Sequence, residues 1–273
     1  MAARIVGVGK YLPERILTNE EISRTVETSD DWIVERTGIR ERRIAADHET
    51  SATLGTEAAL MALRTAGIDG SSVDLIVCGT STPDSIFPAT ASLIQDAIGA
   101  RNAAAFDVNA ACAGFMAALA TGAQFIESGL YERVLVVGSE VMSRITNWHD
   151  RSTCVLFGDG AGAVLLEKGE SGGALSFVLK SDGSAANILY VRGPTSSPLT
   201  ISEAEGYFMV MDGREVFKVA VRAMEEASRQ AIARSGLTAG DIHHAIPHQA
   251  NARIMASVAK GLGLPAERMF SNV

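Results

Sequence analysis

The chain has 273 residues, about two domains at roughly 150 residues each. Its 24 basic and 32 acidic residues leave a net charge of −8, and 47% of the chain is hydrophobic. That much apolar material excludes general disorder, and a pI near 5.2 excludes a general affinity for nucleic acid. Three cysteines, Cys78, Cys112 and Cys154, with no C-x-x-C spacing, suggest neither a disulfide framework nor a zinc site. The N-terminal MAARIVGVGKYLP lacks the apolar run of a secretory leader. The longest weakly polar stretch, residues 110–126, is rich in Ala and Gly and includes Thr121 and Gln124. It falls short of the roughly 20 strongly apolar residues of a membrane span. The expectation is a soluble, cytoplasmic protein that engages neither membrane nor nucleic acid.

In chain order, residues 51–66 have helical spacing, 74–78 (DLIVC) read as a buried strand and 89–99 as a helix. Residues 104–108 (AAFDV) and 133–137 (RVLVV) read as two further strands, with a helix over 112–128 between them. Such alternation predicts an α/β fold, a mostly parallel sheet with helices on its faces. Residues 158–164 (GDGAGAV) place Gly at alternate positions rather than as G-x-G-x-x-G, and a strand-like AVLLE follows where a helix is needed. They read as a tight turn, not a dinucleotide loop. Helices are expected over 214–233 and 251–262.

The chain also repeats itself. Residues 62–77 (ALRTAGIDGSSVDLIV) and 231–246 (AIARSGLTAGDIHHAI) share a helix end, a Gly, a polar turn and an apolar strand, offset by 169. Ile98-Gly99 matches Leu262-Gly263, and Phe106 matches Phe270, at an offset of 164. Matched order of several elements is the signature of a duplicated domain. On that register the second copy is less complete than the first, and the chain reads as cut short.

Cys112 is the most informative residue. It follows the AAFDV strand and opens the 112–128 helix, whose dipole and free amides favour a thiolate and could hold an oxyanion. A lone Cys is equally a small apolar core residue, which is the reading for Cys78 and Cys154. His248, in PHQAN at the start of the last helix, takes the corresponding strand-end place in the second copy, and ligands gather at such ends. A pseudo-twofold axis would bring the two towards one site, a Cys–His acyl-transfer arrangement. His243 and His244, beside the strand itself, read as structural. Two basic groups stand out, Arg36, Arg40, Arg42 and Arg43 after Trp32, and Arg214, Lys218 and Arg222 on one helix face shared by Glu225. Arg253 and Lys260 share another face. Each group either solvates a surface or docks an anionic partner.

With these residues in hand the chain resembles β-ketoacyl-acyl carrier protein synthase III, of the thiolase-fold superfamily. The likeness runs through residues 30–43 (DDWIVERTGIRERR), 80–89 (TSTPDSIFPA), 107–115 (DVNAACAGF), 150–167 (DRSTCVLFGDGAGAVLLE), 212–221 (DGREVFKVAV) and 247–254 (PHQANARI). It implies a layered α/β/α/β/α architecture built from two pseudo-repeated halves, residues 1–170 with the nucleophilic Cys and an incomplete 171–273 with the catalytic His. It implies that Cys112 takes an acyl group, commonly acetyl, from acyl-CoA. Malonyl-acyl carrier protein then loses CO2 and condenses with it, His248 stabilising the enolate. Trp32 and Arg151 would sandwich the adenine, with Thr28, Arg36, Thr37, Phe217 and Asn251 along the CoA tunnel. Gln249, Arg253, Lys218 and Lys260 would dock the carrier protein. Phe87 would reach across a homodimer interface and limit the acyl pocket. Neither a metal nor a cofactor is implied, acyl-CoA being a substrate.

The resemblance also departs. The family's third catalytic residue, an Asn in a Gly-Asn-Thr-Ser segment, would fall past Val273, and Asn272 in Phe-Ser-Asn-Val is not that residue. Two other readings stay open: an acyltransferase of secondary metabolism with the same Cys and His, and a non-catalytic fragment that binds CoA or the carrier.

Overall fold

The computed structural model describes residues 2–193 and 207–273. Its strands are β1 (Ala2–Tyr11), β2 (Arg15–Thr18), β3 (Glu41–Ile44), β4 (Leu75–Gly79), β5 (Ala104–Val108), β6 (Arg133–Val141), β7 (Asp159–Gly169), β8 (Leu189–Tyr190) and β9 (Val210–Met211). Its helices are α1 (Asn19–Ile22), α2 (Asp30–Thr37), α3 (Ser51–Ala66), α4 (Thr90–Ala97), α5 (Gly114–Glu127), α6 (Gly213–Arg234) and α7 (Ala252–Leu262). Contacts divide the chain into two units, the first formed by Met1–Ile16, Arg43–Met142 and Gly158–Phe177, the second by Leu17–Arg42, Ser143–Phe157 and Val178–Val273. This division is interleaved, unlike the contiguous halves 1–170 and 171–273. The reason is packing: α2 lies against α7, and Ile22 and Ile33 share an apolar cluster with Cys154 and Val155.

The first unit is a five-stranded sheet in the order β1-β7-β6-β4-β5. β4 runs parallel to β5 and β6, whereas β7 is antiparallel to β6 and β1. The sheet is therefore mixed rather than mostly parallel. The strand period of two sorts β4 onto both faces: Ile76 and Cys78 join the core with α3 and α4, Leu75 and Val77 the core with Ala118 and Ile126 of α5. A continuous apolar run such as LIVC is what burial on two faces demands. The glycines expected in a turn at 158–164 lie mostly inside β7, where Val137 pairs with Ala163 and Gly138 with Gly162. Small residues suit a strand clasped on both edges by β1 and β6. Gly79 permits the closest approach, since a Cβ there would stand 2.6 Å from the Gly114 carbonyl carbon. The missing side chain lets the start of α5 sit directly on the end of β4.

In the second unit α6 and α7 pack through Phe217, Val221, Met224, Ile254, Val258 and Leu262. The repeat is visible within each unit taken separately. Gly67 and Gly236 have φ of 68° and 70°, and each is followed by a short 3₁₀ turn, Gly70–Ser72 and Ala239–Asp241. Gly99 and Gly263, with φ of 74° and 69°, end the corresponding helices. In the first unit Ile76 pairs in parallel with Ala105, and in the second Ala245 pairs in parallel with Met269. Those partners correspond at the offsets of 169 and 164 read from the sequence. The apolar strand expected at the end of 231–246 is only this single bridge, and no residue of α6 is buried.

Candidate active site

Cys112 lies beyond the carboxyl end of β5, in a 3₁₀ turn, Ala111–Ala113, with α5 starting at Gly114 rather than at the Cys as expected. The cause is the step before it: Ala111 has φ +47°, a left-handed conformation unusual for a residue with a Cβ. Its amide donates to Asn109 Oδ1 at 3.2 Å. The thiol is reachable from solvent yet crowded by protein, and this desolvation pushes it above the ordinary 9.0. Its own amide pulls the other way, and the Glu140 carboxylate adds to the rise. The free thiol is thus less acidic than helix position alone led one to expect. Cys78 and Cys154 are both buried in apolar clusters, as read from sequence.

His248 sits between the Ala245 bridge and α7. Its neighbours are pinned: Gln249 Nε2 donates to the carbonyls of Pro247 (2.9 Å) and Phe270 (3.2 Å), and its Oε1 accepts from the Asn272 amide (3.0 Å). Asn251 caps α7 by accepting from the Ile254 amide at 2.8 Å. His248 is itself exposed to solvent, yet the protein around it lowers the imidazole from 6.5 by desolvation, which favours the neutral ring. His243 and His244 are exposed.

The second unit also holds a cleft of about 260 Å³ lined by Arg36, Arg214, Phe217, Lys218, Asn251 and Arg253. Four cations and no carboxylate line it, a local reversal of the chain's acidic balance that favours a phosphorylated ligand. Lys218 is also paired with Glu215 at 2.7 Å. The guanidinium carbons of Arg36 and Arg151 stand 4.4 and 5.0 Å from the centre of the Trp32 ring. Arg151 Nη1 donates to the Glu27 carbonyl at 2.9 Å. An aromatic ring stacked between Trp32 and Arg151 needs about 7 Å, two van der Waals separations, so Arg151 must swing aside to admit one.

Several expected contacts are engaged elsewhere. Thr37 is buried, its hydroxyl donating to the Ile33 carbonyl (2.7 Å) and accepting from the Ile39 amide (2.9 Å). Thr28 Oγ1 is buried without a hydrogen-bond partner. Gln249 braces its own loop. Lys260 lies two turns along α7 from Arg253, roughly 10 Å, and outside the cleft lining. Arg42 is no surface charge: it is buried and donates to the Leu17 and Val155 carbonyls and to Asn19 Oδ1. In the first unit Phe87 is 83% exposed, beside Ile86 at 73%. Among the described residues, no three His, Cys, Asp or Glu side chains gather as a metal site, and no helix is long and apolar enough to cross a membrane.

Comparison with known proteins matches this arrangement to one family. The profile of 3-oxoacyl-[acyl-carrier-protein] synthase III matches residues 106–183, and that of its C-terminal domain residues 232–273. The β-ketoacyl-[acyl-carrier-protein] synthase III of Paramagnetospirillum magneticum is 50% identical, over 99% of this chain and 84% of its own length. The chain belongs to the β-ketoacyl-acyl carrier protein synthase III family. The synthase III of Clostridium acetobutylicum is 47% identical, over 100% of this chain and 84% of its own. The crystal structure of synthase III from Pseudomonas aeruginosa superposes with a TM-score of 0.92 at 43% identity, covering 100% of this chain and 83% of that one. The priming β-ketosynthase of the R1128 polyketide pathway superposes at 0.93 with 38% identity, over 98% and 80%. The fold of the chain is therefore thiolase-like, and the chain is a condensing acyltransferase of fatty acid synthesis.

Glu140, which the sequence reading did not single out, stands at the carboxyl end of β6 and accepts hydrogen bonds from the turn after β4.

Proposed function

We propose that Cys112 and His248 carry the two half-reactions of a β-ketoacyl-acyl carrier protein synthase III. In the first, the Cys112 thiolate attacks the carbonyl of acetyl-CoA, the bond to the CoA sulfur breaks, and CoA leaves as a thiolate that takes up the proton Cys112 gave to solvent. In the second, malonyl-acyl carrier protein loses CO2, and the electrons of the broken C–C bond form an enolate. His248, neutral at the pH of the reaction, donates a hydrogen bond to the enolate oxygen. The enolate carbon then attacks the Cys112 thioester, the cysteine leaves as thiolate, and β-ketoacyl-acyl carrier protein is formed. The reaction consumes acyl-CoA as a substrate and calls for no cofactor.

The observation that carries this reading is 50% identity over 99% of the chain to a synthase III, together with the Cys in a turn at a parallel strand's carboxyl end. The 38% identity to a polyketide priming ketosynthase is lower, which favours fatty acid synthesis over secondary metabolism. The basic cleft beside α6 and α7 supports binding of the CoA phosphates through Arg36 and Arg214. Arg253 and Lys218, at its rim, would meet the carrier protein's acidic surface, with Trp32, Arg151 and Thr28 at the adenine. The protein works in the cytoplasm as a homodimer. The exposed Ile86 and Phe87 supply the apolar surface, and sedimentation at twice the chain mass, lost in Phe87→Asp, checks it.

The deciding experiment is the intact mass of the chain before and after acetyl-CoA. A gain of one acetyl group, absent in Cys112→Ala, is expected. Loss of malonyl-carrier decarboxylation in His248→Ala, with acetylation retained, is the second arm. Acetylation of a folded Cys112→Ala would refute the assignment, and no acetylation of the folded wild type would favour a binding role.

A further inference from the structure

The carboxyl ends of β4, β5 and β6 lie side by side in the first unit, and one acidic side chain ties them together. Glu140, next to last in β6, accepts from the Ser81 amide at Oε1 (2.8 Å) and from the Thr82 hydroxyl at Oε2 (2.5 Å), both in the turn after β4. The Val141 amide donates back to Thr82 Oγ1 at 2.9 Å. The Ser81 hydroxyl donates to Asn109 Oδ1 at 3.2 Å, the same oxygen that accepts the Ala111 amide. A hydrogen-bonded path thus runs from Glu140 through Ser81 and Asn109 to the left-handed residue just before Cys112.

We infer that Glu140 is a positioning residue for Cys112: through Ser81 and Asn109 it holds the left-handed step at Ala111 that aims the thiol. This rests on Cys112 being the nucleophile. A residue with a Cβ keeps φ +47° only where its surroundings enforce it, because the Cβ crowds the backbone there. Without the acceptor on Asn109 the step relaxes, and the direction of the next side chain turns with it. The grip needs an acceptor at Glu140, not a charge. The charge acts separately, since the carboxylate helps to hold the resting thiol above its ordinary value. Burial raises the Glu140 carboxyl itself, while Thr82 and Ser81 lower it. The other acids at this end of the sheet are held by amides, Asp84 by Ala52 and Asp107 by Thr90 and Ala91.

The test is single-turnover acetylation of Cys112, followed by mass against acetyl-CoA concentration. Glu140→Ala should lower the saturating rate about tenfold, the size of one lost hydrogen bond at a constrained site, with half-saturation unchanged within about twofold. Glu140→Gln keeps the Oε1 acceptor and should recover most of the rate. It should also be alkylated by iodoacetamide at pH 7 faster than the wild type, because the neighbouring charge is gone. Asn109→Ala breaks the path at its other end and should reproduce Glu140→Ala, which keeps the test intact if the Glu140 variant fails to fold. Wild-type rates in a folded Asn109→Ala would overturn the inference, as would a Glu140→Gln no better than Glu140→Ala. If acetylation persists in Cys112→Ala, it is the nucleophile assignment that fails, and the two failures are thereby told apart.

Discussion

The Cys112 thiol answers to opposed influences. Desolvation and the Glu140 charge disfavour the thiolate, while the local amide favours it, and the first two win. Helix position is a weak guide here because α5 begins two residues later, so the thiol does not sit on the first free amides of that helix. His248 shows the same physics with the opposite sign. Desolvation disfavours its charged form and moves it below 6.5, so the ring takes up its proton at lower pH than a free imidazole. The acid limb of malonyl-carrier decarboxylation is therefore expected below pH 6.5, measured as CO2 release against pH. A limb above 6.5 would contradict the neutral donor. The same shift affects stability. The unfolded chain takes up this proton first, so the stability contribution is present above the ordinary value and is lost as pH falls from 6.5 through the folded value. At this scale the sequence singled out Cys112, His248 and the basic residues, and the structure places Cys112 in a turn beyond β5 and Arg36, Arg214, Lys218 and Arg253 around one cleft. Thr37, expected along the CoA tunnel, and Gln249, expected to dock the carrier, both make hydrogen bonds to nearby backbone, which nothing local in the sequence announces. Glu140 was missed because its partners lie 58 and 59 residues away.

Elements were read well where one force dominates. The span 51–66 of α3 and 104–108 of β5 emerged as expected because periodicity, caps and turn chemistry agree. Thr50 caps α3 and Gly67 ends it in the left-handed region. The glycine-rich start of β7 was read as a turn and only its AVLLE part as strand-like, since alternate Gly lowers strand propensity and only the flanking β1 and β6 supply its pairing. Close contact between elements leads to a sharp expectation at Gly79. A methyl there meets the Gly114 carbonyl carbon and oxygen at 2.6 and 2.7 Å, and backbone cannot move aside as a side chain can. Gly79→Ala should destabilise the first unit by about 2 kcal/mol or more, read from urea unfolding, and should slow acetylation by displacing the start of α5. A variant as stable as the wild type would mean that α5 can slide.

Across the whole molecule the charge balance decides encounter. A chain with net charge −8 repels an acidic carrier protein except where cations are gathered, as in the cleft holding Arg36, Arg214, Lys218 and Arg253. Arg253→Glu should lower kcat/KM for malonyl-acyl carrier protein about tenfold, and added salt should lower the wild-type value towards it. A variant indifferent to both would place the docking surface elsewhere. By itself, the sequence determined the family, the α/β alternation and the repeat, and it singled out the cysteine and histidine proposed as catalytic, because each is written in local spacing or in a motif a few residues long. The interleaving of the two units, the mixed direction of the sheet, the burial of Arg42 and the grip of Glu140 on the turn after β4 were decided only in three dimensions. Each depends on partners distant in the chain, and pairing between such partners is chosen by packing and desolvation summed over the fold.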